Sequence, residues 1–433
     1  MKAYRASILH FLADPDKVDV DKSYEFFNDG ILLVDQGKVV NVGFADEILA
    51  GLDNSVAVLD YPDALIIPGF VDTHIHYPQT EMIAAYGEQL LEWLDNYTFP
   101  VEQRFADPEY ARGIADRFLD ELLRNGTTTA LVFGTVHKES VDSFFEACEE
   151  RNLRMIAGKV MMDRNAPDYL LDSAESSYQD SKALIEKWHE RGRLRYAVTP
   201  RFAPTSTAAQ LSKAGQLLQE HPGVYLQTHM SENADEVVWV NELFPHCDHY
   251  LHTYDEAGLL GRRSVFAHCI HLQDEEWQRL AETNSNIAFC PTSNLFLGSG
   301  LFKLKQAITH DIEVGLGTDV GAGTSFSMLQ TIAEAYKVMQ LQGEKLTPFK
   351  AFYLATLGGA KTLDMDDLIG NFETGKEADF IVLDKAPTSF MKFRLEHCKD
   401  LFELLFVIAM LGDDRTIKAT YSAGALVHDR DQH

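Results

Sequence analysis

Ile66-Ile67-Pro68-Gly69-Phe70-Val71-Asp72-Thr73-His74-Ile75-His76 carries an apolar β-type run into two histidines one residue apart. On an extended strand end, residues two apart point the same way, so both imidazoles can converge on one ion. Imidazole is the commonest nitrogen ligand of zinc and is largely neutral at neutral pH. Taken alone, the pair reads equally well as two surface histidines beyond a buried strand. The rest of the chain decides between the two.

Working outward, β-rich runs recur at 66–71, 128–133, 154–161, 195–199, 224–228, 264–267, 286–289 and 313–317. Amphipathic helical stretches such as 109–123, 181–191 and 208–220 fill most intervals. Eight strands alternating with helices predict an α/β protein built on a (β/α)8 TIM barrel, which typically needs ~250 residues plus insertions. An open doubly wound sheet is disfavoured, because no strand runs into a Gly-rich dinucleotide fingerprint; Gly315-x-Gly317 and Gly321-x-Gly323 are isolated pairs. Residues 1–65 and 368–433 share a different texture of short apolar runs and turn residues. The two ends therefore predict a small β-sandwich domain assembled from both termini, with the barrel occupying 66–367.

Composition agrees and narrows the function. A chain of 433 residues with 45% apolar content supports a barrel-sized core with something appended. Its formal charge of −28 repels phosphate backbones, which argues against a nucleic acid partner. No window reaches the length of a membrane span, and Met1-Lys2-Ala3-Tyr4-Arg5 lacks a signal core, so a cytoplasmic protein without membrane contact is expected. Five scattered cysteines without a C-x-x-C pair read as reduced thiols.

Barrel enzymes place their chemistry at the C-terminal ends of the strands. His74 and His76 follow the first run, Arg201 the fourth, His229 the fifth, His268 the sixth and Asp319 the eighth. Such regularity is not expected of unrelated core or surface residues. Three imidazoles from His74, His76 and His229 with the Asp319 carboxylate make a zinc ligand set that leaves one position for water, whose pKa would fall from 15.7 to about 7. Glu232, three residues past His229, is placed to act as general acid/base, although by itself it reads as a solvated helix-start residue. His268 alone would be an interior histidine; after a strand end it is expected to orient the water or stabilise charge on the attacked group. Asp319 could merely cap a loop, its flanking glycines fitting close backbone approach, and it could also carry a proton. Arg201-Phe202 offers a donor fork beside an aromatic face, suited to a flat heterocycle bearing a carbonyl, against the blander pairing of a salt bridge and a core ring. Gln79 presents a donor and an acceptor on one amide. His246, Cys247, His249 and His252 recur at metal-like spacing but fall in a stretch read as outer helix or loop, and Lys159 sits on the wrong strand for a bridging lysine.

Pro68 through His76, His229 through Glu232, Phe266-Ala267-His268-Cys269 and Gly317-Thr318-Asp319 together resemble the amidohydrolase superfamily, in its single-metal deaminase branch. Pro78-Gln79, Tyr86-Gly87-Glu88-Gln89-Leu90-Leu91-Glu92-Trp93-Leu94, Asn125-Gly126-Thr127-Thr128-Thr129, Pro200-Arg201-Phe202-Ala203-Pro204-Thr205 and Cys290-Pro291-Thr292-Ser293-Asn294 are similar to its guanine-acting members. The resemblance implies hydrolysis of guanine to xanthine and ammonia in purine catabolism, one Zn2+ per subunit, and a homodimer. It makes His74, His76, His229 and Asp319 the metal ligands and Glu232, His268 and Asp319 the catalytic residues, with Asp319 shuttling a proton to the leaving amine. Gln79, Arg201, Phe202, His229 and His268 become the substrate-binding residues. Alternatives from the same branch act on 8-oxoguanine, a thioether purine nucleoside or a triazine, a choice that residues 77–105 would govern. A non-catalytic scaffold would have lost ligands, and none is missing here. The ligand set also accepts iron.

Overall fold

Pro68-Gly69 divides the stretch on which the sequence reading turned. The computed structural model describes residues 1–86 and 90–432; Gly87, Glu88 and Gln89 of the segment quoted above, and His433, lie outside the described residues. Strand Ala57–Pro68 pairs antiparallel with Phe380–Asp384, Ile66 opposite Val382. The first barrel strand is Phe70–His76. It thus begins four residues later than the apolar run predicts, because consecutive buried strands of two different sheets are equally apolar and periodicity cannot see the break. Gly69 marks it: an added Cβ would lie 2.1 Å from Thr128 Oγ1.

The remaining barrel strands are Thr127–Phe133, Arg154–Gly158, Arg195–Pro200, Tyr225–Met230, Ser264–His268, Asn286–Phe289 and Val314–Leu316. All eight lie side by side in chain order, as the α/β barrel reading expects, and a short stretch, Val160–Met161, extends the third alongside the fourth. The second, third, sixth, seventh and eighth are buried at every residue, the signature of a parallel sheet covered on both faces. The circle closes at the C-terminal end. There Asp319 N donates to the His74 carbonyl and His76 N to the Val320 carbonyl, each at 2.9 Å. Thr73 Oγ1 adds a bond of 3.0 Å to the Leu316 carbonyl. Helices Ala174–Trp188 and Ala208–Glu220 start where Ser173 and Thr207 accept a backbone N–H, which satisfies donors that a helix start leaves open.

Both termini contribute to a second, seven-stranded sheet. Lys2–Phe11 lies between Tyr24–Asp35 and Ala57–Pro68, while Phe380–Asp384, Ile417–Ser422 and Ala425–Asp429 complete the other flank. Alternation along the strands sends Tyr4, Ile8, Leu32, Ile66, Phe380 and Tyr421 to one apolar cluster and Ala3, Ile31 and Leu33 to another. The sheet curls over the first cluster, where the Tyr421 ring stacks on Phe380 at 4.4 Å and meets Tyr4 edge-on at 5.0 Å. By density of contacts the chain falls into two units, Met1–Val71 with Asp120–Thr129 and Phe326–His433, and Asp72–Leu119 with Ala130–Ser325. Among the described residues no helix is long and apolar enough to cross a membrane.

The third and fourth barrel strands approach so closely that a Cβ on Gly158 would stand 1.7 Å from the Ala197 carbonyl oxygen. Gly158→Ala is therefore expected to cost about 2–3 kcal/mol through overpacking, read from urea denaturation. A loss below about 0.5 kcal/mol, the scale of a neutral surface change, would show that these strands separate freely.

Candidate active site

The end of the first strand presents His74 and His76, the fifth carries His229, and Asp319 follows the eighth, so four side chains distant in sequence meet at one rim. His76 Nε2 lies 3.3 Å from His74 Nε2 and 3.1 Å from His229 Nε2. Asp319 Oδ1 stands 3.2 Å from His74 Nε2 and 3.3 Å from His76 Nε2. Lone pairs crowded in this way repel unless a cation lies among them. Tetrahedral metal–nitrogen bonds of 2.0–2.1 Å would set donors roughly 3.3–3.4 Å apart, close to the spacing found. The donor set therefore fits a metal ion.

The surroundings prepare the donors. His229 Nδ1 donates to the Arg201 carbonyl at 2.8 Å, which turns the Nε2 lone pair toward the cluster. Burial drives the imidazoles of His74 and His229 below the usual histidine range and that of His76 down to about 3, so they stay neutral and able to coordinate. For Asp319, burial works upward, but the neighbouring imidazoles of His74 and His76 outweigh it and hold the carboxyl well below its ordinary value. Beneath the site, buried Asp72 accepts from His74 N at 3.2 Å and Thr318 N at 3.1 Å. Its own pKa is pushed up to about 7 by burial. Asp319 and His268 both adopt left-handed backbone, φ +52° and +73°, a conformation that costs L residues energy and gathers at functional sites.

His268 donates from Nδ1 to the Asn294 amide oxygen at 2.9 Å, and its Nε2 faces Glu232 Oε2 at 3.5 Å and Asp319 Oδ2 at 3.8 Å. Glu232 is 2% exposed. Burial first, then the neighbouring Asp319 and Glu236 carboxylates, raise its pKa well above the usual range, which suits a group that must both take and give a proton. Gln79, Arg201 and Phe202 join Leu90, Trp93 and Leu94 around a cavity that also reaches His76, His229, Glu232, His268 and Asp319. The expected site residues thus all come together. Residues that the sequence reading did not find hold them: Asn294 on His268, Ser299 donating to Glu232 at 3.4 Å, and Glu102 on Arg201. Asn294 lay within a quoted segment; Glu102 and Ser299 carried no signal of spacing. His246, Cys247 and Glu256 also approach one another, but at the surface, with His249 capping the short helix Tyr250–Glu256. Lys159 pairs with Asp172, away from this cavity.

Residues 65–427 match the model of the amidohydrolase family. The chain belongs to the amidohydrolase family. It is 57% identical over 431 residues to the guanine deaminase of Escherichia coli K12, covering 99% of this chain and 98% of that one. The solved structure of E. coli guanine deaminase superposes with a TM-score of 0.97 at 56% identity, over 99% of this chain and 100% of the other. A guanine deaminase from C. acetobutylicum with guanine bound in its active site does so at 0.88 and 30% identity, over 99% of this chain and all of that one. Amidohydrolases are metal-dependent, in keeping with the buried donor cluster found here.

Asp319→Ala and His229→Ala are each expected to reduce bound metal from one ion per chain to below about a tenth, with His246→Ala unaffected. Metal analysis of the purified proteins decides it. Equal loss from His246→Ala would move the site to the surface cluster.

Proposed function

We propose that this chain catalyses the hydrolytic deamination of guanine to xanthine and ammonia. One observation carries the reading: a single cavity is lined both by donor and aromatic groups, Gln79, Arg201 and Phe202, and by acid–base and metal-donor groups, Glu232, His268, His229 and Asp319. Guanine has matching ends, a carbonyl and an exocyclic amine. Extensive identity to guanine deaminases supports the same substrate.

A zinc ion on His74, His76, His229 and Asp319 would supply a water acidified from 15.7 to about 7. The chain's own groups do the rest. Phe202 lies against the ring face, and Arg201 and Gln79 hold its carbonyl-bearing edge. Glu232 takes a proton as the water oxygen bonds to the amine-bearing carbon, and returns it to the adjacent ring nitrogen. His268, its Nδ1–H held by Asn294, presents the Nε2 lone pair to the attacking water and orients it by accepting one of its protons in a hydrogen bond. Asp319 passes the remaining water proton to the amine. The carbon–nitrogen bond then breaks, ammonia leaves, and the new carbonyl of xanthine forms. Rings without the carbonyl would leave the buried Arg201 partly unmatched, a defect able to discriminate by about 10⁴. We include in this reading a cytoplasmic homodimer serving purine catabolism, on the resemblance alone. A particle of one 48.7 kDa chain in sedimentation would remove the dimer.

Ammonia release by metal-loaded protein is expected with guanine, alongside xanthine, and not with adenine or a triazine amine. Glu232→Gln should lower it by about 10²–10⁴ while metal content stays constant. Faster turnover of the triazine would replace guanine as substrate. Arg201→Ala with full activity and unchanged preference would end the carbonyl assignment.

A further inference from the structure

Arg201 does not stand alone in its wall. Its Nη1 donates to both oxygens of Glu102, at 2.9 and 3.0 Å, and the two side chains are 3% and 0% exposed. Glu102 closes the helical turn Phe99–Glu102, and Phe99 places its ring 5.7 Å from the Arg201 guanidinium carbon. Gln79 Nε2 reaches the same carboxylate at 3.5 Å, while Gln79 Oε1 accepts from Gly321 N at 3.0 Å. The amide is thereby held in one orientation. Directed donors suffice to recognise a neutral carbonyl, and a net positive charge beside them adds attraction for anions. A buried carboxylate is costly to desolvate, and here it leaves the donors in place while cancelling their charge.

We propose that Glu102 is a specificity-determining residue that makes the ring-binding end of the cavity electrically neutral, so that it accepts a neutral purine and rejects an anionic one. The inference rests on the guanine reading and extends it to the product. Deamination replaces an electron-donating amine by a carbonyl, which makes xanthine the stronger ring acid of the two. An unbalanced guanidinium would hold the xanthine anion more tightly than the neutral substrate and slow release. With Glu102 beside it, ionisation of the product weakens its grip. The other groups facing this pair do not supply that balance. The Tyr77 phenol near Glu102 donates to the Ser140 carbonyl at 2.6 Å, and Glu232, His76 and His229 line the reacting wall.

The test is inhibition of guanine turnover by xanthine, measured from below to above the ionisation of the xanthine ring, for wild type, Glu102→Gln and Glu102→Asp. Wild type and Glu102→Asp should be inhibited less as xanthine ionises. Glu102→Gln should be inhibited more, the ratio to wild type rising by about tenfold or more toward high pH. Taking the ratio removes every pH effect the proteins share. A merely structural role would weaken guanine and xanthine together at every pH, and a flat ratio would overturn the proposal. Should Glu102→Gln fail to fold, the wild-type arm still decides, because inhibition that strengthens with ionisation contradicts a neutral site. A wild type that neither turns over guanine nor responds to xanthine removes the guanine reading, and this inference with it; normal turnover with a flat ratio removes this inference alone.

Discussion

The hydrogen bond from Asp319 N to the His74 carbonyl joins the last barrel strand to the first, and the remainder of the site depends on it. It fixes the height at which a carboxylate from one end of the barrel sequence meets two imidazoles from the other. Asp72 reinforces the junction from below by accepting from His74 N and Thr318 N together. Buried carboxylates of this kind are costly unless their lone pairs are satisfied. Here the backbone at the ends of the two strands to be joined satisfies Oδ1, and the Thr318 hydroxyl satisfies Oδ2. Barrel closure and ligand placement are thus one interaction. The left-handed backbone at Asp319 is tolerated because these bonds over-determine it.

Burial then gives each group its protonation state. The same exclusion of water lowers the imidazoles into their coordinating form and raises Glu232 toward a value useful for shuttling protons. Charge at the other wall is handled differently. Arg201 keeps its donors because Glu102 balances them, and burial without that partner would leave an isolated cation in a low dielectric. One end of the cavity carries groups with shifted titration, and the other a matched ion pair.

Much of the site was legible in the sequence for a topological reason. A parallel barrel puts every strand's C-terminal end on one rim, so a polar residue just after an apolar run carries positional information. His74, His76, His229, His268 and Asp319 are all readable by that rule. Arg201 and Phe202 follow from it too. The rule is silent about partners that arrive from helical turns and loops beyond the strands. Glu102, Asn294 and Ser299 act across separations of 99, 26 and 67 residues, and no local pattern encodes such contacts. It fails also at Pro68-Gly69, where burial on both sides of the junction gives the same apolar letters, and the distinction lies in the pairing of Ala57–Pro68 with Phe380–Asp384 and Lys2–Phe11.

Glu232 shows how a residue beside a helix start can be turned from solvent into a cavity. As a residue at a helix start it looked like a solvated surface acid. It does precede a helix, Ala234–Leu243, and its backbone N–H is consumed by capping, donating to Glu236 Oε2 at 2.9 Å beside the bond from Asn233 N at 3.0 Å. Tyr250 ties down the other Glu236 oxygen at 2.6 Å. The cap therefore fixes the main chain of Glu232, and the left-handed turn at Ser231 directs its side chain into the cavity and away from solvent. Glu236 contributes a second effect from the same position, since its nearby carboxylate joins burial and Asp319 in raising the Glu232 pKa. A capping box, ordinarily a device of helix stability, here sets both the aim and the proton affinity of a buried carboxyl in the cavity.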